Sequence, residues 1–545
     1  MGSRGKITKG SKSLAATLIV LVAALALCIV FPLVSVAITP RISDFKSVFS
    51  SPIWKSAMKN TALSCLASTT LSVLIGYIFA YGVVYGEIPM KRFFSAIPLL
   101  HLVTPPFVGG LSFILLLGRK GFITNTLLGL DVTLYGFRGL LIAQSLCFFP
   151  LAYMICAQAL KGINHSLELA AYGMGATGAK IFWTITLPLS FPAIVASFLF
   201  IAVSVMSDFG NPMIVAGRYR VLAVEIYTQL TGWVKAGKSA VLGFCLVLPS
   251  AILFFVQNRI TKKNLSRLSS VGSRGFCATG KKRSLSSKIF LTLFCTIVSL
   301  CVLAQFAAII AGSVQKVWGI NTTLTLSHIK TLSKCAKELK NSVTFALLGA
   351  FFSTMTAMIA SYIVYRTNCP LKRFIDITCQ IPAAVPGTLF GLAFSLSASK
   401  LNFHNSKILI VIAIAVGFLP FSYRILSSTS SQIKMTLDDA ARSLGANRIR
   451  VLADIILPLS DSAIFDSFIY DFVRGVGTMS AVIFLVSFNT PLTSIKILNL
   501  AEQGFWGDAA ALALLLTIIT FVILGAGRAI GYLWRKKSWK TQKTK

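Results

Sequence analysis

LDDAARSLGANRIRVLADIILPLS, residues 437–460, lies between two long apolar runs and still carries three Asp and three Arg. An earlier stretch, LELAAYGMGATGAKIFWTITLPLS at 167–190, aligns with it without a gap at an offset of 270, and ten of twenty-four positions are identical. The match continues upstream at Pro150/Pro420 and Tyr153/Tyr423, and downstream at Ser197-Phe198/Ser467-Phe468. Farther back the offset becomes 281. There Asn60 meets Asn341, PMKRF at 89–93 meets PLKRF at 370–374, and Pro105 meets Pro386. Self-similarity of this extent marks a chain built from two copies of one unit.

The unit is a membrane unit. Of 545 residues, 55% are hydrophobic and only 12% charged, and the mean hydropathy is +0.79. Soluble domains carry about 25% charged residues. Apolar runs of spanning length recur at 14–38, 59–85, 94–117, 137–160, 190–214 and 239–258, then at 288–312, 342–365, 375–398, 407–428, 461–487 and 508–532. The expected fold is an all-α polytopic membrane protein of about twelve transmembrane helices. It divides into a first repeat (1–258), a basic Ser/Gly-rich linker (259–287) and a second repeat (288–545). Six spans separate equivalent points, so both copies face the same way, unlike the inverted repeats of many secondary transporters. The first run is longer than a signal-peptide core and reads as an uncleaved span.

The net charge of +36 would suggest nucleic acid in a soluble protein. Here it reports orientation, because Lys and Arg collect in cytoplasmic loops. Most of the 52 basic residues fall on inner segments if both termini are cytoplasmic, and no nucleic-acid partner is expected. The eleven cysteines are scattered without a CxxC, and the four histidines lack an HxxxH, so no metal site is expected. GFCATGKK at 275–282 approaches the phosphate-binding G-x4-G-K pattern, but Lys282 stands where a Mg²⁺-binding hydroxyl belongs. No Ser/His/Asp arrangement or carboxylate pair suggests an enzyme.

The two charged stretches share A-A-x3-G-x9-I-x-L-P. Ala170, Ala171, Gly175, Ile185, Leu187 and Pro188 match Ala440, Ala441, Gly445, Ile455, Leu457 and Pro458. This reads as a short helix, a Gly turn, a second short helix, and a Pro opening the next span. Asp438 and Asp439 suit a helix N-terminus, where carboxylates oppose the dipole. The paired alanines offer a smooth face on which another protein can seat. Gly permits the positive φ of a tight reversal. A surface-lying connector would explain one copy, but not two copies joining equivalent spans.

The pattern resembles the EAA loop of ABC importer permeases, the membrane subunits of transport systems fed by binding proteins. The resemblance runs from about Asn60 to the last span. It implies that the loops at 167–188 and 437–458 dock on two cytoplasmic ATPase subunits, which hold ATP and Mg²⁺ while this chain binds no cofactor. It implies as well an extracytoplasmic binding protein, a bacterial inner-membrane location and alternating access. The family's Glu is replaced by Leu169 in the first copy and Asp439 in the second, so Glu168 is the expected acidic contact of the first loop. SDFGNPMIV at 207–215 and GTMSAVIFLVS at 477–487 are similar to fused permeases of ferric-iron importers. Aminoethylphosphonate, thiamine or another small ion are the alternative solutes, and a stand-alone secondary transporter is the alternative class. Charges within spans are costly and imply function. Asp208, Asn211, Asp471, Arg474 and Thr478 are therefore candidates for the translocation pathway; an Asp471–Arg474 pair at i, i+3 that only fixes helix packing is the rival reading.

Overall fold

The computed structural model describes residues 9–105, 107–129, 134–268, 284–367 and 369–543. These are almost wholly helical, with one two-stranded antiparallel hairpin, Gln315–Val317 and Asn321–Leu324. The P-loop-like stretch and most of the linker lie outside the described residues; the flanking helices run to Leu268 and from Leu285.

Nine described helices are long and apolar enough to cross a membrane, and one bent pair passes that test together. The difference from the twelve expected spans has local causes. The third span of the first repeat is two helices, Lys91–Val103 and Phe107–Leu117, parted at Pro105. At the equivalent Pro386, Lys372–Ala383 and Gly387–Lys400 meet at a bend of 111°. Proline removes a helical hydrogen bond and disfavours helix in the residue before it. The eleventh helix, Asp461–Val476, ends early and is followed by turns.

Two compact units result. One comprises Met1–Arg41, Cys335–Lys496 and Leu516–Lys545; the other comprises Ile42–Lys334 and Ile497–Leu515. The first helix of each sequence repeat thus belongs to the compact unit formed mainly by the other repeat. Each unit centres on a parallel helix pair, Pro52–Tyr85 with Phe137–Lys161, and Ala336–Arg366 with Ser406–Gln432.

Small residues explain the close packing of these pairs. Ser68, Ser72, Gly76 and Ala80 form a buried stripe at every fourth position, and Gly349, Ser353, Ala357 and Ser361 repeat it at the offset of 281. Small side chains let membrane helices approach until their backbones touch. A Cβ on Gly76 would collide with the Ala152 Cβ. Larger side chains fill the space on either side, with Phe79, Phe149 and Tyr153 meeting as tilted and edge-to-face rings in one unit.

Candidate functional site

The two repeated loops fold alike, turn by turn. In the first, the helix His165–Gly173 is capped by the Asn164 side chain, which accepts from the Ser166 N–H. The helix closes at Gly175, where φ is +80°; the Gly175 N–H donates to the Tyr172 carbonyl at 3.0 Å and the Ala176 N–H to the Ala171 carbonyl at 3.0 Å. In the second, Met435–Ser443 closes at Gly445 with φ +86°, and the Gly445 and Ala446 N–H groups reach Arg442 and Ala441 at 3.0 and 2.9 Å. This double closure is the Schellman motif, which needs a left-handed residue at its corner.

Thr177 and Asn447, again equivalent, then cap Gly178–Ile181 and Arg448–Val451. Each of these short helices runs without a break through a π turn, Phe182–Thr186 or Leu452–Ile456, into the following helix. The sequence reading separated the second short helix from its span; the structure joins them into one rod in the first loop, whereas in the second a turn at Ser460 parts Leu457–Leu459 from Asp461–Val476, and Pro188 and Pro458 stand just past the π turns. The change of hydrogen-bond register falls where proline has no N–H to offer.

The acidic residues do not face outward as expected. Glu168 is buried and accepts a hydrogen bond from the Thr186 hydroxyl at 3.1 Å, tying the start of its loop to the end. Its counterpart Asp438 is buried too, with Oδ1 3.3 Å from Arg366 Nη1. Arg366, whose side chain is 1% exposed, also donates to the Ile433 carbonyl at 2.6 Å. Burial raises the Asp438 carboxyl above its ordinary value, and the Arg366 guanidinium pulls it back. Asp439 is the exposed member of its pair and lies 3.7 Å from Arg442.

The alanine pairs split in the same manner: Ala170 and Ala440 are exposed, while Ala171 and Ala441 pack inward. Ile185 and Ile455 are half-buried in the π turns, Leu187 and Leu457 start the rods, and both prolines are exposed. The tip of each loop presents an apolar side chain outward. Leu167 and Leu437 are exposed, and Met174 and Leu444, the residues before the glycine corners, are 82% and 89% exposed. Sequence reasoning passed over Met174 and Leu444, although their equivalence at the offset of 270 was visible. An apolar side chain at the tip of a reversal is an interaction feature more than a packing one.

The intramembrane candidates divide between the units. Asp208 sits between the helices Leu187–Met206 and Gly210–Val215. Its Oδ2 accepts from Gln144 Nε2 and Asn211 Nδ2, each at 3.0 Å, and Gln144 Oε1 accepts from the Ser68 hydroxyl at 3.0 Å. Asn211 is fully buried; its Oδ1 has no hydrogen-bond partner among the described residues and faces Gly109 and Gly110. In the other unit Asp471 is also fully buried, and its Oδ2 accepts from the Ser422 hydroxyl at 2.7 Å. The i, i+3 pair is not formed among the described residues: Arg474 turns to Tyr470 instead. The Thr478 carbonyl accepts from the Ser494 hydroxyl. Gln144, Ser68 and Ser422 were missed; polar residues inside apolar runs were their only signal.

A family model described as binding-protein-dependent transport system inner membrane component matches residues 72–265 and 349–531, once per repeat. The chain belongs to this family. Within it, the permease is 31% identical over 450 residues to the ferric transport system permease protein FbpB of Actinobacillus pleuropneumoniae, an alignment covering 79% of this chain and 64% of that protein. It is 23% identical over 516 residues to the Fe(3+)-transport system permease protein FbpB 2 of Haemophilus influenzae, covering 92% and 96%. The molybdenum transport system permease protein ModB of Escherichia coli K12 matches over its whole length at 28% identity, yet takes up only 40% of this chain. One ModB thus corresponds to less than half of the permease, in keeping with the internal repeat. The permease spans 64% and 65% of the length of two of its ferric relatives.

Proposed function

We propose that this permease is the membrane-spanning subunit of an ABC importer that carries ferric iron inward from an extracytoplasmic binding protein. ATP is hydrolysed on two cytoplasmic ATPase subunits, one seated on each loop, and the chain itself binds no nucleotide. Both termini and both loops face the cytoplasm. The observation that carries this reading is the twin construction of the loops. Two corners with φ of +80° and +86°, two exposed apolar tips and two short helices that run on through a π turn are built from equivalent residues. The names of the ferric relatives support iron as the solute.

Continuity through the π turns supports a mechanism. A push on Met174 passes along one rod into the helix ending at Met206, beside buried Asp208, and a push on Leu444 reaches the helix ending at Val476, which holds buried Asp471, across the turn at Ser460. Glu168–Thr186 and Arg366–Asp438 keep each loop from folding under that load. Alternating access then amounts to moving two rods together when the ATPases close. Asp208, Asn211, Asp471, Arg474 and Thr478 remain our candidates for the residues that the solute passes.

Reconstitution tests this. The permease in proteoliposomes should move no Fe(III) alone, and should move it once ATPase, ATP and Fe(III)-loaded binding protein are supplied. Accumulation by the permease alone would mean a secondary transporter. Uptake of molybdate but not Fe(III) would keep the class and change the solute. Gly175→Asp with Gly445→Asp should abolish ATPase pull-down, because a branched anion would stand at both apolar corners.

A further inference from the structure

Behind each loop lies a cavity within that loop's own compact unit. The one beside the first loop has a volume of about 1090 Å³, and the one beside the second about 790 Å³. Both are the size of ligand pockets. They correspond residue by residue. Tyr77, Phe182 and Trp183 line the first, and Met358, Leu452 and Ala453 line the second at the offsets of 281 and 270. Each is bordered by the first helix of the other sequence repeat, through Phe290 and Leu291 in one and Thr17 in the other. Eight of the thirteen equivalent lining pairs differ in side chain, yet the space is kept in both.

We infer that each cavity is a binding site for one acyl chain of a phospholipid, with the headgroup at the loop end. The walls are membrane-spanning helices: Pro52–Tyr85, Gly178–Met206 and Leu285–Val314 around the first. The rims open onto apolar surface, since Leu74, Trp183 and Phe290 are at least half exposed around one, and Phe351 and Met355 around the other. Hydrocarbon, not water, is what covers such a surface. At the loop end the side chains become polar and basic. Lys180 and Lys288 follow the lining residues Ala179 and Ser287 in the chain, and Arg448 lines the second cavity. Cations beside interfacial Tyr and Trp suit a phosphate at the headgroup level. Asp461 also lines the second cavity, but its Oδ1 accepts from the Ser462 N–H. The chain's own linker is a poor occupant, because SSVGSRGFCATGKKR at 269–283 has no apolar run to fill the space. A lipid chain held there lies against the rod that carries each loop.

The test needs the permease alone, so its failure is separable from that of the importer reading. The full chain is taken from nanodiscs of phosphatidylethanolamine and phosphatidylglycerol into mild detergent and weighed by native mass spectrometry. Two retained phospholipids per chain are expected. Ala453→Trp gives the second cavity the side chain that the first already has, and Thr70→Phe gives the first the side chain of Phe351. Each is expected to lower retention from two to one, and together to none, with the thermal unfolding midpoint unchanged. No retained phospholipid in the parent, detergent retained in its place, or two retained in the double variant would overturn the inference. So would loss of both phospholipids from the parent when ATPase is added, since the cavities would then be ATPase seats.

Discussion

Gly445→Ala isolates the corner on which the second loop turns. A Cβ added at Gly445 meets nothing within 4 Å, so the change carries no packing penalty. What remains is the backbone. With φ at +86°, an L-residue crowds its own carbonyl at a cost of about 1–2 kcal/mol. That converts to a factor of roughly 5–30 in the open population of the turn. The cost falls on two hydrogen bonds, from Gly445 to Arg442 and from Ala446 to Ala441. Native-state amide exchange should therefore speed up by about that factor at residues 445 and 446 and stay unchanged in the Ser406–Gln432 helix. Gly445→Asn, which tolerates a left-handed backbone, should recover most of the protection. Gly175→Ala should do the same to the first loop, since Gly175 is equally open at φ +80°. Equal protection in the Ala and Asn variants would show that the corner is not held by the backbone, and the docking geometry built on it would fall with it.

Three further outcomes follow from the buried charges. Asp438→Ala leaves the Arg366 guanidinium, 1% exposed, without its counter-charge, a loss of about 3–5 kcal/mol that a thermal melt would register; Asp439→Ala, at an exposed pair, should stay within about 0.5 kcal/mol. Asp208→Ala strands the Gln144 and Asn211 amides in the apolar interior and should cost about 1–3 kcal/mol for each, whereas Thr478→Ala, whose hydrogen bond to Ser494 uses the backbone carbonyl, should be nearly silent in the same melt. The raised Asp438 carboxyl means that the folded loop holds a proton more readily than the unfolded chain does. Stability should accordingly decline as pH rises from the ordinary value of 3.8 through the raised one, then level off; Asp438→Asn should flatten that stretch of the curve, and an unaltered slope would assign it to another group.

Much of the loop was legible in the sequence because it is local chemistry. Glycine at a reversal and proline opening the next span act within one or two turns, and their repetition at one offset reinforced each reading. The direction of Glu168 and Asp438 was not legible. It depends on Thr186 and Arg366, which lie 18 and 72 residues away in the chain. The same holds for Asp471: spacing alone offered Arg474, and packing supplied Ser422 from another helix.

By itself the sequence determined that this protein is helical, embedded in a membrane and built twice over, since hydropathy and repetition need no knowledge of neighbours. Where the third spans break was written at Pro105 and Pro386, although not the 111° angle. Tertiary structure alone decided that each repeat's first helix belongs to the compact unit of the other, because an apolar helix in lipid carries no label for its partner. It also decided that Glu168 and Asp438 turn inward and leave apolar tips outside. A buried carboxylate must find its donors wherever the fold brings them, and that is a property of the packed chain.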